Sequence, residues 1–274
     1  MQKKCLSKKG GLKRMPYVKS FDGTKIYYEI KGKGVPIVLL PSCGVTAEYW
    51  KFQEPLSFKY KLVMIDVAGV GKSGRTRVNY TYPSLGQDVK AVIDKEQLDK
   101  IVILGHGMGG TIAIEAAILL KEKIQGIISV DSLIAHSVYY GKKATEKDIA
   151  EVMKDYEGNY QEYYDNLLRN MLGDRVSSEV KEWVVSIAGY EINDPDILRE
   201  IVRIMLLHDY HDIIDQVNCP IKYLLQSGYK AIEPVMKEQS DARFIENVGH
   251  LSNIEDPKTF NQIIDEIMQE IIGE

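Results

Sequence analysis

Cysteine is scarce: Cys5, Cys43 and Cys219 are the whole supply in 274 residues, too few and odd in number for a disulfide framework. A reducing cytoplasm suits such a chain. Long apolar runs are missing too. No stretch reaches the roughly 18 residues of a membrane span, and the N-terminal segment has no apolar core of signal-peptide length, so neither export nor membrane insertion is expected. Charge of one sign is also lacking, since 35 Lys and Arg face 39 Asp and Glu for a formal charge of −4. The balance is uneven, however. Lys3, Lys4, Lys8, Lys9, Lys13 and Arg14 give residues 1–14 six positive charges and no acid, which leaves −10 on residues 15–274. An acidic body repels polyanions, which excludes a general nucleic-acid or membrane-surface role. The arm before Met15 reads as a disordered extension upstream of the true start.

What is present is ordinary: 45% hydrophobic and 27% charged residues, with 22 Gly and 9 Pro, exclude wholesale disorder, collagen and coiled coil. The length sits at the upper end for one domain, so one large domain or a domain carrying an insertion is expected. Tyr17–Ser20 and Lys25–Ile30 flank Phe21-Asp22-Gly23-Thr24, a hairpin signal that starts a sheet antiparallel. Ile37–Leu40, Leu62–Ile65, Ile101–Leu104, Ile127–Val130 and Ile221–Leu225 are near-continuous apolar runs of the kind buried on both faces of a parallel sheet. Helical periodicity marks Ser84–Leu98, Met108–Lys121 and Pro257–Ile272, the last with Asp256 as N-cap and proline at the first position. This alternation predicts an α/β fold with a mostly parallel sheet covered by helices on both faces. From Ser137 to His208 the pattern is helical without strands, and it holds Tyr139, Tyr140, Tyr156, Tyr160, Tyr163, Tyr164 and Tyr190. That stretch is read as an insertion between the sixth and seventh strands.

The chemistry is expected at Ile101-Val102-Ile103-Leu104-Gly105-His106-Gly107-Met108-Gly109-Gly110, a buried strand turning tightly into a helix. The pattern matches the Gly-x-Ser-x-Gly nucleophile elbow, with Gly107 where the serine belongs. Three further segments follow suit: Leu39-Leu40-Pro41-Ser42-Cys43-Gly44 with Trp50, Asp66-Val67-Ala68-Gly69-Val70-Gly71-Lys72-Ser73, and Val248-Gly249-His250 with Glu255-Asp256-Pro257. In this order and spacing the chain resembles the α/β-hydrolase superfamily from about Pro16 to Glu274. The resemblance implies a sheet of about eight strands, a core over residues 15–136 and 209–274, and a helical cap, or lid, over 137–208 inserted after the sixth strand.

Position by position, the resemblance makes Gly107 the nucleophile position, His250 the general base, and the amides of Cys43 and Met108 the oxyanion-hole donors. The acid follows either the sixth or the seventh strand. Asp131, at the end of Ile127–Val130, is one candidate, although an aspartate there also suits a turn cap. After the seventh strand Gly228-Tyr229-Lys230-Ala231 has alanine in the acid's usual place, with Glu233 nearby as the other candidate. Tyr139 and Tyr140 are candidates for substrate contact from the cap.

Pro41-Ser42 stands for the family's His-Gly, Ala68 for its proline, and Gly107 removes the hydroxyl on which acyl-enzyme formation depends. The implied enzyme is a hydrolase of a small or medium carboxylic ester or lactone, needing no cofactor, by a Ser-His-Asp type mechanism; this chain is expected to be inactive or severely impaired. The glycine is either engineered or natural. Ser42 or Cys43 as a substitute nucleophile, and a water activated by His250, are the routes around it. The alternative function is a natural non-hydrolytic member, a ligand-binding protein or a cofactor-free lyase using His250. A metal reading of His208 and His211, three apart on an expected helix, lacks a further ligand cluster. No metal, nucleic acid or membrane partner is implied.

Overall fold

A computed structural model describes residues 16–134, 145–188, 194–232 and 239–273. The basic arm, Tyr139, Tyr140, Tyr190 and Glu233 lie outside the described residues. Eight strands form one sheet: β1 Tyr17–Lys19, β2 Lys25–Lys31, β3 Pro36–Leu40, β4 Lys61–Ile65, β5 Ile101–His106, β6 Ile124–Val130, β7 Ile221–Gln226 and β8 Arg243–Ile245. Their spatial order is β1-β2-β4-β3-β5-β6-β7-β8. β1 and β2, and β2 and β4, pair antiparallel; every later pair is parallel. The opening hairpin closes where Gly23 takes a φ of +84° and Ser20 N donates to Thr24 O. β3 and β5 are buried along their whole length, as their unbroken apolar runs require.

Two helices pack together on one another beside the sheet, α1 (Tyr82–Lys95) and α2 (Met108–Leu120). α1 starts two residues earlier than its periodicity suggests because Thr81 and Ser84 form a reciprocal capping box with Pro83 in the first turn. α2 is apolar all round and correspondingly buried, with Ile112, Ala113, Ile114 and Ala116 no more than 1% exposed. That burial fixes the turn preceding it, which carries position 107.

Among the described residues four α-helices come between β6 and β7: α3 Glu146–Gly158, α4 Tyr160–Met171, α5 Ser178–Ala188 and α6 Pro195–Leu207. Tyr164, Leu168, Val184 and Leu198 from this segment join the same buried cluster as the sheet. Fully burying such a side chain is worth about 1.5–3 kcal/mol, so these helices are fastened over the site by the core itself. α6 ends at Leu207, and His208 and His211 therefore do not share a helix face: the His208 ring lies on Tyr82, 4.6 Å between centroids, and His211 bonds Asp209. The chain closes with α7 (Ser252–Glu255) and α8 (Pro257–Ile272), whose N-cap Asp256 accepts from Thr259 N. Among the described residues no helix is long and apolar enough to cross a membrane.

Candidate active site

Parallel strands gather loops at their carboxyl ends, where open α/β sheets place their sites. Four such loops converge here: Pro41-Ser42-Cys43 after β3, Gly107 after β5, Asp131 after β6 and the turn to His250 after β8. They border a cavity of about 390 Å³. Leu167, Leu168 and Met171 of α4 and Val202 and Met205 of α6 make its far wall apolar.

Gly107 holds φ +53° and ψ −120°, a conformation that side chains adopt only under strain, and its amide donates to Val130 O of the neighbouring strand (3.0 Å). Its carbonyl accepts from the Ser132 hydroxyl. Gly109 allows the close approach that a sharp strand-to-helix turn demands, since a Cβ there would lie 2.3 Å from Leu40 O. A Cβ placed on Gly107 would point into the cavity. It would stand 3.2 Å from His250 Nε2 and 2.6 Å from Ser42 Oγ. Met108 opens α2, so its amide belongs to the first turn, where helical N–H groups have no acceptor within the helix.

His250 Nδ1 faces Asp131 Oδ2 at 3.7 Å. Asp131 is 4% exposed and has φ +40°. Its Oδ1 accepts from Gln226 N at the end of β7 (2.7 Å), a partner across the sheet rather than in its own turn. Oδ2 has no hydrogen-bond partner among the described residues, which leaves it for the imidazole. Burial pushes the Asp131 carboxyl well above the usual carboxylate range and holds the His250 imidazole down at about 4. A neutral imidazole at neutral pH is the form that accepts a proton.

Two supports of His250 escape sequence reading. The buried ring of His106 packs against it at 4.5 Å between centroids, with Nδ1 2.6 Å from the Tyr49 hydroxyl. Burial holds that ring well below the usual histidine range. Glu255 accepts from Gly249 N (2.9 Å) and Gly173 N (3.0 Å), and His250 N donates to Met171 O (2.8 Å). One carboxylate thus ties the histidine loop to the end of α4. Tyr164 of α4 makes a second tie, its hydroxyl donating to Cys43 O (3.1 Å). Asp131, His250 and His106 also bring ligand-type atoms within 4.8 Å of one another, the only group of three that does so among the described residues.

The family model for the alpha/beta hydrolase fold matches residues 35–186, more than half of the chain. The chain belongs to the α/β-hydrolase family. The chain is 24% identical over 278 residues to the AB hydrolase superfamily protein YisY of Bacillus subtilis, covering 90% of this chain and 97% of that one. A shorter match, 32% identical over 118 residues, is to RutD of Azorhizobium caulinodans, of whose length this chain spans less than half (44%), with 43% of its own residues. Among solved structures it is similar to Est816, described as an N-acyl homoserine lactone degrading enzyme, with a TM-score of 0.78, 22% identity, and coverage of 92% of this chain and 99% of that one.

Proposed function

We propose that the site hydrolyses a small or medium carboxylic ester or lactone, with His250 as general base, Asp131 as the acid that orients it, and the Cys43 and Met108 amides receiving the oxyanion. The observation that carries this reading is the convergence at position 107: His250 Nε2 lies 3.2 Å from the point a side chain there would occupy, and its other nitrogen faces a buried carboxylate. The apolar wall of α4 and α6 suits the hydrocarbon part of an acyl compound, and α3–α6 act as the cap that selects it. Est816, with a similar fold, is described as acting on a lactone.

By its elbow, this chain cannot form an acyl-enzyme, because glycine brings no hydroxyl. Losing a triad nucleophile lowers turnover on the order of a millionfold. The test restores the family's residues at positions 42 and 107 with the S42G/G107S swap and measures hydrolysis across short acyl esters and lactones. Turnover in the swap that disappears on adding His250→Ala is the expected result. A folded swap and a folded unaltered chain that are both inert on the whole panel would overturn the reading.

A further inference from the structure

Two departures from the family pattern, far apart in sequence, meet in space. Serine stands at 42 where the family has the glycine of its His-Gly pair, and glycine stands at 107 where the family has serine. A Cβ on Gly107 would lie 2.6 Å from Ser42 Oγ and 3.4 Å from Ser42 Cβ, the first closer than real Cβ atoms approach. The Ser42 hydroxyl thus fills the space that a side chain at 107 would need, and the glycine makes room for it. We infer that the nucleophile has moved rather than vanished: Ser42 Oγ supplies the attacking hydroxyl from the opposite loop. The inference rests on the ester-hydrolase reading above.

The surroundings support the exchange of roles. Ser42 lies two residues past the end of β3, is 5% exposed, and lines the cavity together with Gly107 and His250. Its hydroxyl and His250 Nε2 border the same point, and catalytic hydrogen bonds of this kind often tighten only when substrate is bound. The residue after an elbow nucleophile gives its amide to the oxyanion. After Ser42 that residue is Cys43, already placed there. The neighbouring thiol is a poor rival, since burial pushes Cys43 up to about 12 and leaves it protonated at neutral pH.

The chemistry closes without any further reactant. Ser42 Oγ passes its proton to His250 Nε2 as it bonds to the substrate carbonyl carbon, and the carbonyl oxygen takes the negative charge facing the Cys43 and Met108 amides. As the carbonyl re-forms, the bond to the leaving oxygen breaks, and that oxygen takes the proton from Nε2. Water then gives a proton to Nε2 and its oxygen bonds to the acyl carbon. Collapse releases Ser42 Oγ, which recovers its proton from the imidazole.

The test treats the unaltered chain, S42A, S42G, H250A and the S42G/G107S swap with an alkyl fluorophosphonate, finds any adduct by peptide mass spectrometry, and measures ester turnover of each. The expected result is an adduct on Ser42 in the unaltered chain, absent from S42A and S42G, with both variants falling to the turnover of H250A while keeping a native circular dichroism spectrum. Turnover that survives in S42A and S42G, or an adduct elsewhere, overturns the role of Ser42 and leaves the ester reading intact. An active swap beside an unlabelled, inactive original does the same. Inactivity of both would refute the ester reading itself.

Discussion

Gly107→Ser alone should destabilise the protein, and Ser42→Gly should recover part of the loss. The first contribution is backbone strain, because φ +53° with ψ −120° lies where a side chain costs on the order of 1–3 kcal/mol. That cost is local to 107 and persists whatever occupies 42. The second is crowding: the new Cβ meets Ser42 Oγ at 2.6 Å, in a place where Ser42 is 5% exposed and has little room to turn aside. Overpacking of this kind costs typically 1–3 kcal/mol, and since the obstacle is a single rotatable hydroxyl the low end, about 1 kcal/mol, applies. The two substitutions should therefore couple by about 1 kcal/mol, within the range seen for residues in contact. Chemical denaturation of the original, each single variant and the swap gives this coupling directly. Additivity within about 0.5 kcal/mol, the behaviour of independent sites, would show that positions 42 and 107 do not share one space, and the reasoning about both would fail.

Arg77 is 2% exposed at its side chain and is held by Asp22 in the opening hairpin turn (2.8 Å) and by Asp88 of α1 (2.6 and 2.8 Å). Arg77→Ala strands a buried Asp88 carboxylate, so it should cost about 3–5 kcal/mol in a denaturant titration; a loss below about 1 kcal/mol would place this network among the weak surface pairs. For pH, His250 is held down at about 4, so it is neutral above that value and charged below it. The acid limb of kcat/KM in the swap should lie near pH 4, and a limb at the ordinary histidine value near 6.5 would contradict the burial of the base. The same shift sets a sign for stability. Below pH 6.5 the unfolded chain takes up a proton that the folded imidazole refuses, so His250 favours folding fully above 6.5 and ever less as pH falls toward 4. Asp131, shifted upward by burial, acts in the opposite sense: its folded carboxyl keeps the proton above the ordinary carboxylate value, a contribution present at low pH and lost as pH rises.

Much of this is legible from local pattern. The apolar runs at Ile37, Leu62, Ile101 and Ile127 each mark a strand of the parallel sheet, because a strand covered on both faces leaves no polar alternation to confuse it; the run at Ile221 also marks a strand, but one in which only Leu224 and Leu225 are buried, so the expected cover on both faces does not hold there. β8 is illegible for the converse reason: three residues, Arg243–Ile245, with one buried side chain carry no period. The order of the motifs already places the loops bearing Gly107 and His250 at one end of the sheet, and both line the cavity; Asp131, one of the two acid candidates, lines it as well, while Glu233 lies outside the described residues. What stayed hidden depends on pairs distant in sequence. Nothing near Glu255 tells that its carboxylate holds the amides of Gly173 and Gly249, and nothing near His106 tells that its ring supports His250. The exchange between 42 and 107 is visible in sequence as two separate departures, but only their distance makes them one.

That distance changes what a missing nucleophile means. Had Gly107 opened an empty space beside His250, the simplest account would be a catalytic site in decay, with each departure free to drift. Instead the vacated space holds a hydroxyl, on the loop whose next residue is Cys43, while His250 keeps its buried carboxyl partner, the tilted ring of His106 against it and its Glu255 tether. Buried acids and paired imidazoles cost folding energy unless their surroundings compensate, so a chain relieved of catalysis has reason to lose them. Asp131 at 4% exposure with one oxygen unbonded, and His106 wholly buried with one nitrogen unbonded, are costs of that kind among the described residues. Tyr164 belongs to the same arrangement, since its hydroxyl ties α4 to the carbonyl of Cys43 and so holds the helix over the cavity and the loop after β3 together. The retention of these costs beside the Ser42 hydroxyl is what the proposed relocation of the nucleophile requires and what a site in decay gives no reason for.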